Sequence, residues 1–212
     1  MKEEVVVPSE VCHRAFELMK AKQFPDAEKL LSHHLSKTED PTALALYHSS
    51  MGVLAKLQGD TKAAWRHYSR AEKFLPNDPA LKIIMARLLI DEFAEYSAAI
   101  KRAKKVLELI PTNPVFVHQA YITMGLAIVK KGEKKKSVML LQQSMVNDFA
   151  GFVTAMNIDF HLVEALLRKG WGKAECRAFV GKALLFAKQQ QEENLVDTFQ
   201  KMLNAMDPNV YR

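Results

Sequence analysis

The chain has 212 residues, of which 49% are hydrophobic, and a formal net charge of +6. It has ample apolar material for a core, but no run approaches the roughly 18 apolar residues of a membrane-spanning helix, so we expect no membrane insertion. Only 8 Gly and 8 Pro occur and strand-type alternation is hard to find, so the composition predicts an all-α protein.

The cysteines and the first ten residues indicate a cellular compartment. Cys12 and Cys176 fit no metal-binding or redox spacing, so we expect two reduced thiols. The opening residues, MKEEVVVPSE, contain an acidic pair and an apolar stretch too short for a secretory signal. Both features predict a soluble, cytoplasmic protein.

The elements predicted at the start of the chain are a short arm over 1–8 and a first pair of helices over 9–43. Ser9 is a suitable N-cap for a helix that runs to about Lys22. A second helix follows from Pro25 to about Ser36, with proline in the tolerated first turn.

The clearest pattern in the chain lies over 44–78. Two amphipathic helical patterns are joined there by Gly59-Asp60, and Pro76 follows the second. Small residues on both helices allow a close approach, and large ones, with Phe74, fill the space between them. The residues that carry the pattern are His48, Met51, Gly52, Ala55, Ala64, Tyr68, Ala71 and Pro76.

This spacing resembles the tetratricopeptide repeat, which reads W-x2-L-G-x2-Y, then A-x3-F, then P. His48 and Ala55 replace the tryptophan and tyrosine of that pattern. The resemblance implies a right-handed superhelical solenoid of helix-turn-helix units that bind other proteins, and it does not identify a partner.

Weaker copies of the pattern follow over 79–113, 114–150 and 151–190, and an amphipathic helix over 191–207 is predicted to cap the stack. Pro76 and Pro111 are 35 residues apart, one more than the usual repeat period, so we predict a one-residue insertion in the turn between Glu92 and Tyr96. The predicted fold is therefore an all-α, right-handed superhelical solenoid of about five units with a capping helix, in a single domain over 9–212.

The resemblance also implies a binding site, because the first helices of such units line a concave groove. The residues expected to face this groove are Phe16, Met19, Val53, Leu57, Ile84, Leu88, Ile122, Leu126 and Val129. Four of them occupy equivalent positions in successive units and would form an apolar stripe, which on a protein surface usually marks an interaction site. We expect a peptide or amphipathic helix of another protein to bind there.

Other interpretations of the stripe stay open. The chain could cover it with Val5, Val6 and Val7, or a second copy of the chain could cover it by self-association. A different use of the same groove is that of a chaperone shielding an apolar segment of a client, as in secretion systems.

A basic patch offers a binding function of another class. Nine basic residues face two acidic ones between Ala99 and Lys136, whereas the rest of the chain is nearly neutral. Such a patch could bind nucleic acid or an acidic partner surface, although nucleic acid is disfavoured because few aromatic residues are interleaved with the charges. The patch consists of Lys101, Arg102, Lys105, Lys130, Lys131, Lys134, Lys135 and Lys136.

Catalysis is not expected. The sequence has no phosphate-binding glycine loop, no nucleophile elbow and no zinc-protease motif. The adjacent His33 and His34 lie on different faces of a helix and cannot chelate one ion. His48 and His118 are expected to be packed or half-exposed imidazoles with a structural role. We predict no enzyme activity, no cofactor and no metal. Trp171, in a turn between two glycines, is expected to pack back onto the protein.

Overall fold

The structure of the chain is a computed structural model, and it describes residues 7–206. This part of the chain contains eleven α-helices and two short 3-10 turns, and no β-strand. Contacts divide the chain into two compact units, Met1–Leu81 and Lys82–Arg212. The helices are α1 Pro8–Lys20, α2 Phe24–Leu35, α3 Pro41–Leu57, α4 Thr61–Phe74, α5 Pro79–Asp91, α6 Tyr96–Leu109, α7 Pro114–Lys130, α8 Lys134–Ser144, α9 His161–Arg168, α10 Lys173–Gln189 and α11 Glu193–Ala205.

The first unit contains two helical pairs. Helix α1 packs on α2, α3 packs on α4, and α3 also contacts both α1 and α2. Small side chains at this junction, such as Ala15 and Ala43, are buried beside Leu31 and Leu54. Gly52 permits the close approach of α3 and α4, because a Cβ atom there would lie 2.6 Å from Cε1 of Tyr68.

The helix starts follow from local sequence. The side chains of Asp40, Asp60, Asp78 and Asn113 each accept a hydrogen bond from the backbone N–H three residues later, at 2.7, 2.8, 2.7 and 3.2 Å. This N-cap satisfies a donor that has no partner within the helix. Proline follows three of the four caps, at a position where its missing N–H costs nothing.

The turn between the helices of a pair recurs along the chain. Each of these turns, and the turn between α10 and α11, has a residue with positive φ whose successor donates its N–H to a carbonyl near the end of the preceding helix. That carbonyl lies five residues back in every case except one, since Glu95 N–H reaches Leu89, six residues back. The extra residue confirms the insertion predicted between Glu92 and Tyr96. The turn before α10 has a second residue with positive φ, Gly172. The positive-φ residues that precede the donors are Lys22, Gly59, Ala94, Gly132, Gly170 and Gln191.

The second unit has its core among α7 to α11. Helix α7 packs on α6, α8 and α9, while α10 contacts α8, α9 and α11. Aromatic rings are prominent in this core: Phe149 contacts Phe152, Phe179 and Phe186, and Phe152 also contacts Phe186, at centroid distances of 5.4–6.4 Å. Phe199 of α11 is buried against the same cluster, which is the packing expected of the predicted capping helix.

An irregular segment joins α8 to α9. Asn147, Asp148 and Phe149 have φ values of 45°, 54° and 68°, a left-handed conformation that is unfavourable for residues other than glycine. Burial of the Phe149 ring and two hydrogen bonds from Thr154 and Ala155 to the Glu192 carboxylate hold the segment. The fifth helical pair therefore begins only at α9, later than the predicted boundary at 151.

The predicted fold class is confirmed, because the described residues form five helical pairs followed by α11. The predicted boundary between the first two pairs falls inside α3, which begins at Pro41. Of the predicted N-terminal arm, only Val7 and Pro8 lie among the described residues, and Pro8 already belongs to α1. The predicted N-cap Ser9 is wrong, because Val7 is the N-cap and Ser9 lies within the first turn of the helix. The prediction of one domain over 9–212 stays a prediction.

Candidate functional site

The predicted groove residues of the first unit differ in exposure. Phe16 and Leu57 are 36% and 55% exposed, and Val53 is half-buried. Met19 is only 4% exposed, because it packs in the core among α1, α2 and α3. Met19 therefore presents no surface to a partner, and its predicted role is wrong. Val5 and Val6, which were predicted to be able to cover the stripe, lie outside the described residues.

Three of the groove residues predicted in the second unit are buried. Leu88, Ile122 and Val129 are 2%, 0% and 5% exposed, so they are core residues and do not line an open groove. Ile122 and Val129 are buried because α7 and α9 pack directly on each other. Ile84 is 37% exposed and Leu126 is half-buried, so these two remain as apolar surface on the first helices of this unit.

A polar network joins the same helices. The Arg87 side chain of α5 forms an ion pair with Asp159 and donates a hydrogen bond from Nε to Oγ1 of Thr123 at 3.0 Å. The side chains of Arg87 and Asp159 are each 17% exposed. Asp159 Oδ1 also accepts the backbone N–H of His161 at 2.9 Å and lies 2.7 Å from its Nδ1 atom. The network links α5, α7 and the start of α9.

Sequence reasoning missed this network, because Arg87 and Asp159 are 72 positions apart. Burial alone would raise the pKa of Asp159, but the Arg87 guanidinium and the hydrogen bonds from His161 lower the pKa below its ordinary value. Asp159 is therefore a carboxylate at neutral pH, and its charge is balanced by Arg87.

His118 forms hydrogen bonds to both ends of the irregular segment between α8 and α9, from Ser144 to Asp159. Its Nδ1 atom lies 2.8 Å from the Ser144 carbonyl oxygen, and Nε2 accepts the backbone N–H of Asp159 at 2.9 Å. This arrangement places the proton on Nδ1 and requires a neutral ring. The imidazole is fully buried beside Phe149 and Phe179, and burial lowers its pKa. His118 therefore has a structural role, as predicted.

A second histidine lies buried in the first unit. The Nδ1 atoms of His48 and His67 are 3.3 Å apart, and the His48 ring stacks on Phe74 at a centroid distance of 6.4 Å. Burial, together with the charges of His67 and Arg70, lowers the pKa of His48 to about 4. In residues 7–206 no group of three His, Cys, Asp or Glu side chains is placed to share a metal ion.

The basic patch is distributed over α6, the turn after α7 and the start of α8. Its seven lysines are exposed, and Arg102 is half-buried. Lys104, one of the nine basic residues of this region but not assigned to the predicted patch, is also exposed. Lys104 of α6 and Lys136 of α8 line the same surface cavity, so the two halves of the patch meet there.

The other residues singled out in the sequence are Trp171 and the two cysteines. Trp171 packs against the hydrophobic core of the second unit, as predicted. Cys12 and Cys176 are buried free thiols, and burial raises the pKa of Cys176 to about 11. None of the helices in the described range has the length and apolar character needed to cross a bilayer.

The helical pairs, with their recurring turns and close small-residue contacts, define the class of protein: a repeat protein of helix-turn-helix units. Solved structures agree with this class. The chain is similar to PilW, a type IV pilus biogenesis factor, with 16% identity, a TM-score of 0.65, and coverage of 95% of this chain and 94% of that one. It is also similar to PilF of Pseudomonas aeruginosa, with 13% identity, a TM-score of 0.63, and coverage of 95% and 92%.

A third similar structure is a thermophilic tetratricopeptide-repeat protein of Thermus thermophilus, with 17% identity, a TM-score of 0.61, and coverage of 93% of this chain and 99% of that one. No protein-family profile and no curated protein sequence matches the chain. The chain has the tetratricopeptide-repeat fold.

Proposed function

We propose that the chain is a non-catalytic adaptor that binds a segment of another protein on the first helices of its repeats. One observation carries this proposal: in the second unit, half-exposed apolar residues of the first helices lie beside a fixed polar network. Ile84 precedes Arg87 by three residues, and Leu126 follows Thr123 by three, so each shares a helix face with a residue of the network.

This combination suits peptide recognition. Partly exposed apolar side chains can be buried by a bound peptide. Polar side chains that are already held by their neighbours can orient the peptide through hydrogen bonds with little loss of side-chain entropy on binding. Arg87 is held in place by the buried Thr123 and by Asp159, so a bound segment would meet the exposed parts of Arg87 and Asp159 in a preformed arrangement. An extended segment or an amphipathic helix fits the proposal.

The burial of predicted groove residues supports an adaptor over a client-shielding chaperone. A chaperone groove needs a continuous apolar surface, and four of the nine predicted residues are in the core. PilW is a pilus biogenesis factor, so assembly of a multiprotein structure is a fitting setting for an adaptor of this fold.

We propose the cytoplasm as the location because Cys12 and Cys176 are free thiols, which are typical of a reducing compartment. Fractionation of the source cells checks this, and recovery outside the cytoplasm would contradict it.

The test of the adaptor function is selection of random 12-residue peptides displayed on phage against the purified chain. The affinities of enriched peptides are then measured by fluorescence anisotropy for the wild type and for a variant carrying Ile84→Glu and Leu126→Glu. A matched control carries Val153→Glu and Leu185→Glu, two apolar residues of the same unit that are 85% and 61% exposed.

We expect the first-helix variant to bind enriched peptides about tenfold more weakly, and the control to bind them as the wild type does. Circular dichroism checks that both variants stay folded. Equal affinities for all three proteins would overturn the proposed site, and a selection that enriches no peptide would overturn the function.

A further inference from the structure

An apolar cavity opens among α6, α7 and α8, within the basic patch. Its volume is about 260 Å³. Met124, Ile128 and Leu140 line it and are 4%, 2% and 6% exposed, so they form its floor. Met139, which is 46% exposed, lies at its open side. The cavity therefore presents a recessed apolar surface to solvent.

Positive charge frames this cavity. Lys104 and Lys136 both line it, one from each flanking helix, and both are exposed. The two acidic residues of the region are occupied, since Glu108 pairs with Lys105 at 2.8 Å and Glu133 pairs with Lys136 at 3.5 Å. Within residues 7–206, no carboxylate lies in ion-pair distance of Lys104. Lys136 is already paired with Glu133, so among the described residues the unpaired positive charge at the rim is that of Lys104.

The size of the cavity limits what can enter it. Pockets for small molecules commonly measure about 300–1,000 Å³, so this cavity is smaller than a typical cofactor or drug-sized site. One or two bulky side chains fit it better. Burying one such side chain contributes about 1.5–3 kcal/mol, and carboxylates beside it would meet the lysines at the rim.

We propose that this cavity is a docking site for an acidic segment of a partner protein, which inserts one Phe, Leu or Met between flanking Asp or Glu residues. The apolar floor favours a protein over a nucleic acid. A phosphate backbone has no group to place against Met124 and Ile128, and Tyr121 is the one aromatic ring among the residues that line the cavity, too few for stacked bases.

This surface is separate from the one proposed for the first helices. Tyr121, Met124 and Ile128 lie on the face of α7 opposite Leu126, as the 100° step between helical residues requires. The two surfaces therefore bind independently, and failure of one proposal leaves the other testable.

The experiment uses three fluorescein-labelled 12-residue peptides. The first has a central Phe flanked by Asp and Glu, the second has Ala in place of Phe, and the third has Asn and Gln in place of the acids. Anisotropy at low and high salt is measured for the full chain, for a variant carrying Lys104→Glu and Lys136→Glu, and for Met139→Ser. The control carries Lys169→Glu and Lys173→Glu, two exposed lysines of the same unit with the same change in charge.

We expect the first peptide to bind the wild type and the control alike, and the other two to bind at least about tenfold more weakly. Lys104→Glu with Lys136→Glu lowers the affinity for the first peptide by about tenfold or more, and raising the salt lowers it further. Met139→Ser weakens binding of the Phe peptide and leaves binding of the Ala peptide unchanged.

Three results would overturn the proposal. One is the absence of binding by the acidic Phe peptide at low salt, and another is equal binding of the Phe and Ala peptides. The third is binding of a 20-nucleotide single-stranded DNA that is lost in the Lys104→Glu and Lys136→Glu variant while no peptide binds, which would assign the patch to nucleic acid.

Discussion

At the scale of single residues, His118 shows how a buried polar group secures irregular backbone. Its ring satisfies the Ser144 carbonyl and the Asp159 N–H, which are 2.8 and 2.9 Å away. We predict that His118→Phe lowers the free energy of unfolding by about 2–4 kcal/mol, because both backbone groups lose their partner in an apolar core. Urea unfolding followed by Trp171 fluorescence measures the change.

The exposed His13 provides the matched control for that variant. His13→Phe should change the free energy of unfolding by no more than about 0.5 kcal/mol, as is usual at surface positions. If His118→Phe were equally mild, the hydrogen bonds of His118 would not be what holds the segment before α9.

His48 gives the first unit a predictable pH dependence. Its pKa is about 4 in the folded chain, below the ordinary value of 6.5. The unfolded chain therefore binds the proton first as the pH falls, and stability present above pH 6.5 is lost between 6.5 and 4. We predict a loss of about 1–2 kcal/mol between pH 7.5 and pH 5, a figure that allows for screening by solvent.

Urea unfolding of a Trp171→Phe chain, in which Trp65 is the remaining tryptophan, measures that loss. His48→Phe keeps the stacking partner of Phe74 and removes the titrating group, so the decline toward pH 5 should become smaller. An unchanged decline in His48→Phe would show that other groups cause it.

At the scale of helices, packing decides the role of each glycine. A Cβ atom at Gly52 would lie 2.6–2.8 Å from three atoms of the rigid Tyr68 ring, whereas one at Gly181 of α10 would meet nothing within 4 Å. We predict that Gly52→Ala destabilises by about 1–3 kcal/mol through overpacking. Gly181→Ala should stabilise by about 0.5–1 kcal/mol, since alanine is the better helix former.

Thermal unfolding of the two glycine variants beside the wild type tests this pair. The midpoint should fall for Gly52→Ala and rise for Gly181→Ala. Shifts of the same sign would contradict the argument, because helix propensity alone predicts that both substitutions stabilise.

The helices also show what the sequence could predict. The first four pairs could be placed because their signals are local: small residues at fixed spacing, prolines near the helix ends, and even the extra residue before Tyr96. The segment before α9 could not be placed, because Asn147 and Phe149 adopt positive φ only under the constraint of distant packing. Local propensity contains no information on that packing.

The candidate site was predicted less well for a related reason. The repeat pattern identifies which face of a first helix points toward the groove, but a residue on that face can still be covered by the next helix. Leu126 keeps some surface, whereas Ile122 and Val129, on the same helix, are buried where α7 meets α9. The Arg87–Asp159 pair and the meeting of Lys104 with Lys136 depend equally on contacts between helices distant in sequence.

At the scale of the whole molecule, the two units differ in the kind of core they have. Both units bury alanines, but among the described residues the buried phenylalanines and the nearly buried ion pair belong to the second unit. Phenylalanine buries about 150–250 Å² of surface, far more than alanine, so its burial contributes more free energy per residue. This difference predicts unequal resistance to denaturant.

The two tryptophans allow that inequality to be measured, because Trp65 belongs to the first unit and Trp171 packs in the core of the second. A Trp65→Phe chain reports on the second unit through Trp171, and a Trp171→Phe chain reports on the first unit through Trp65. We predict that the urea midpoint of the Trp65→Phe chain is higher by about 0.5–1 M. This shift corresponds to a difference of about 1–2 kcal/mol in the free energy of unfolding of the two units at ordinary m-values. Circular dichroism of the wild type should then show a broadened transition that spans both midpoints, as in repeat proteins whose cooperativity is incomplete. Coincident midpoints, or a lower one for the Trp65→Phe chain, would contradict the assignment of the stronger core to the second unit.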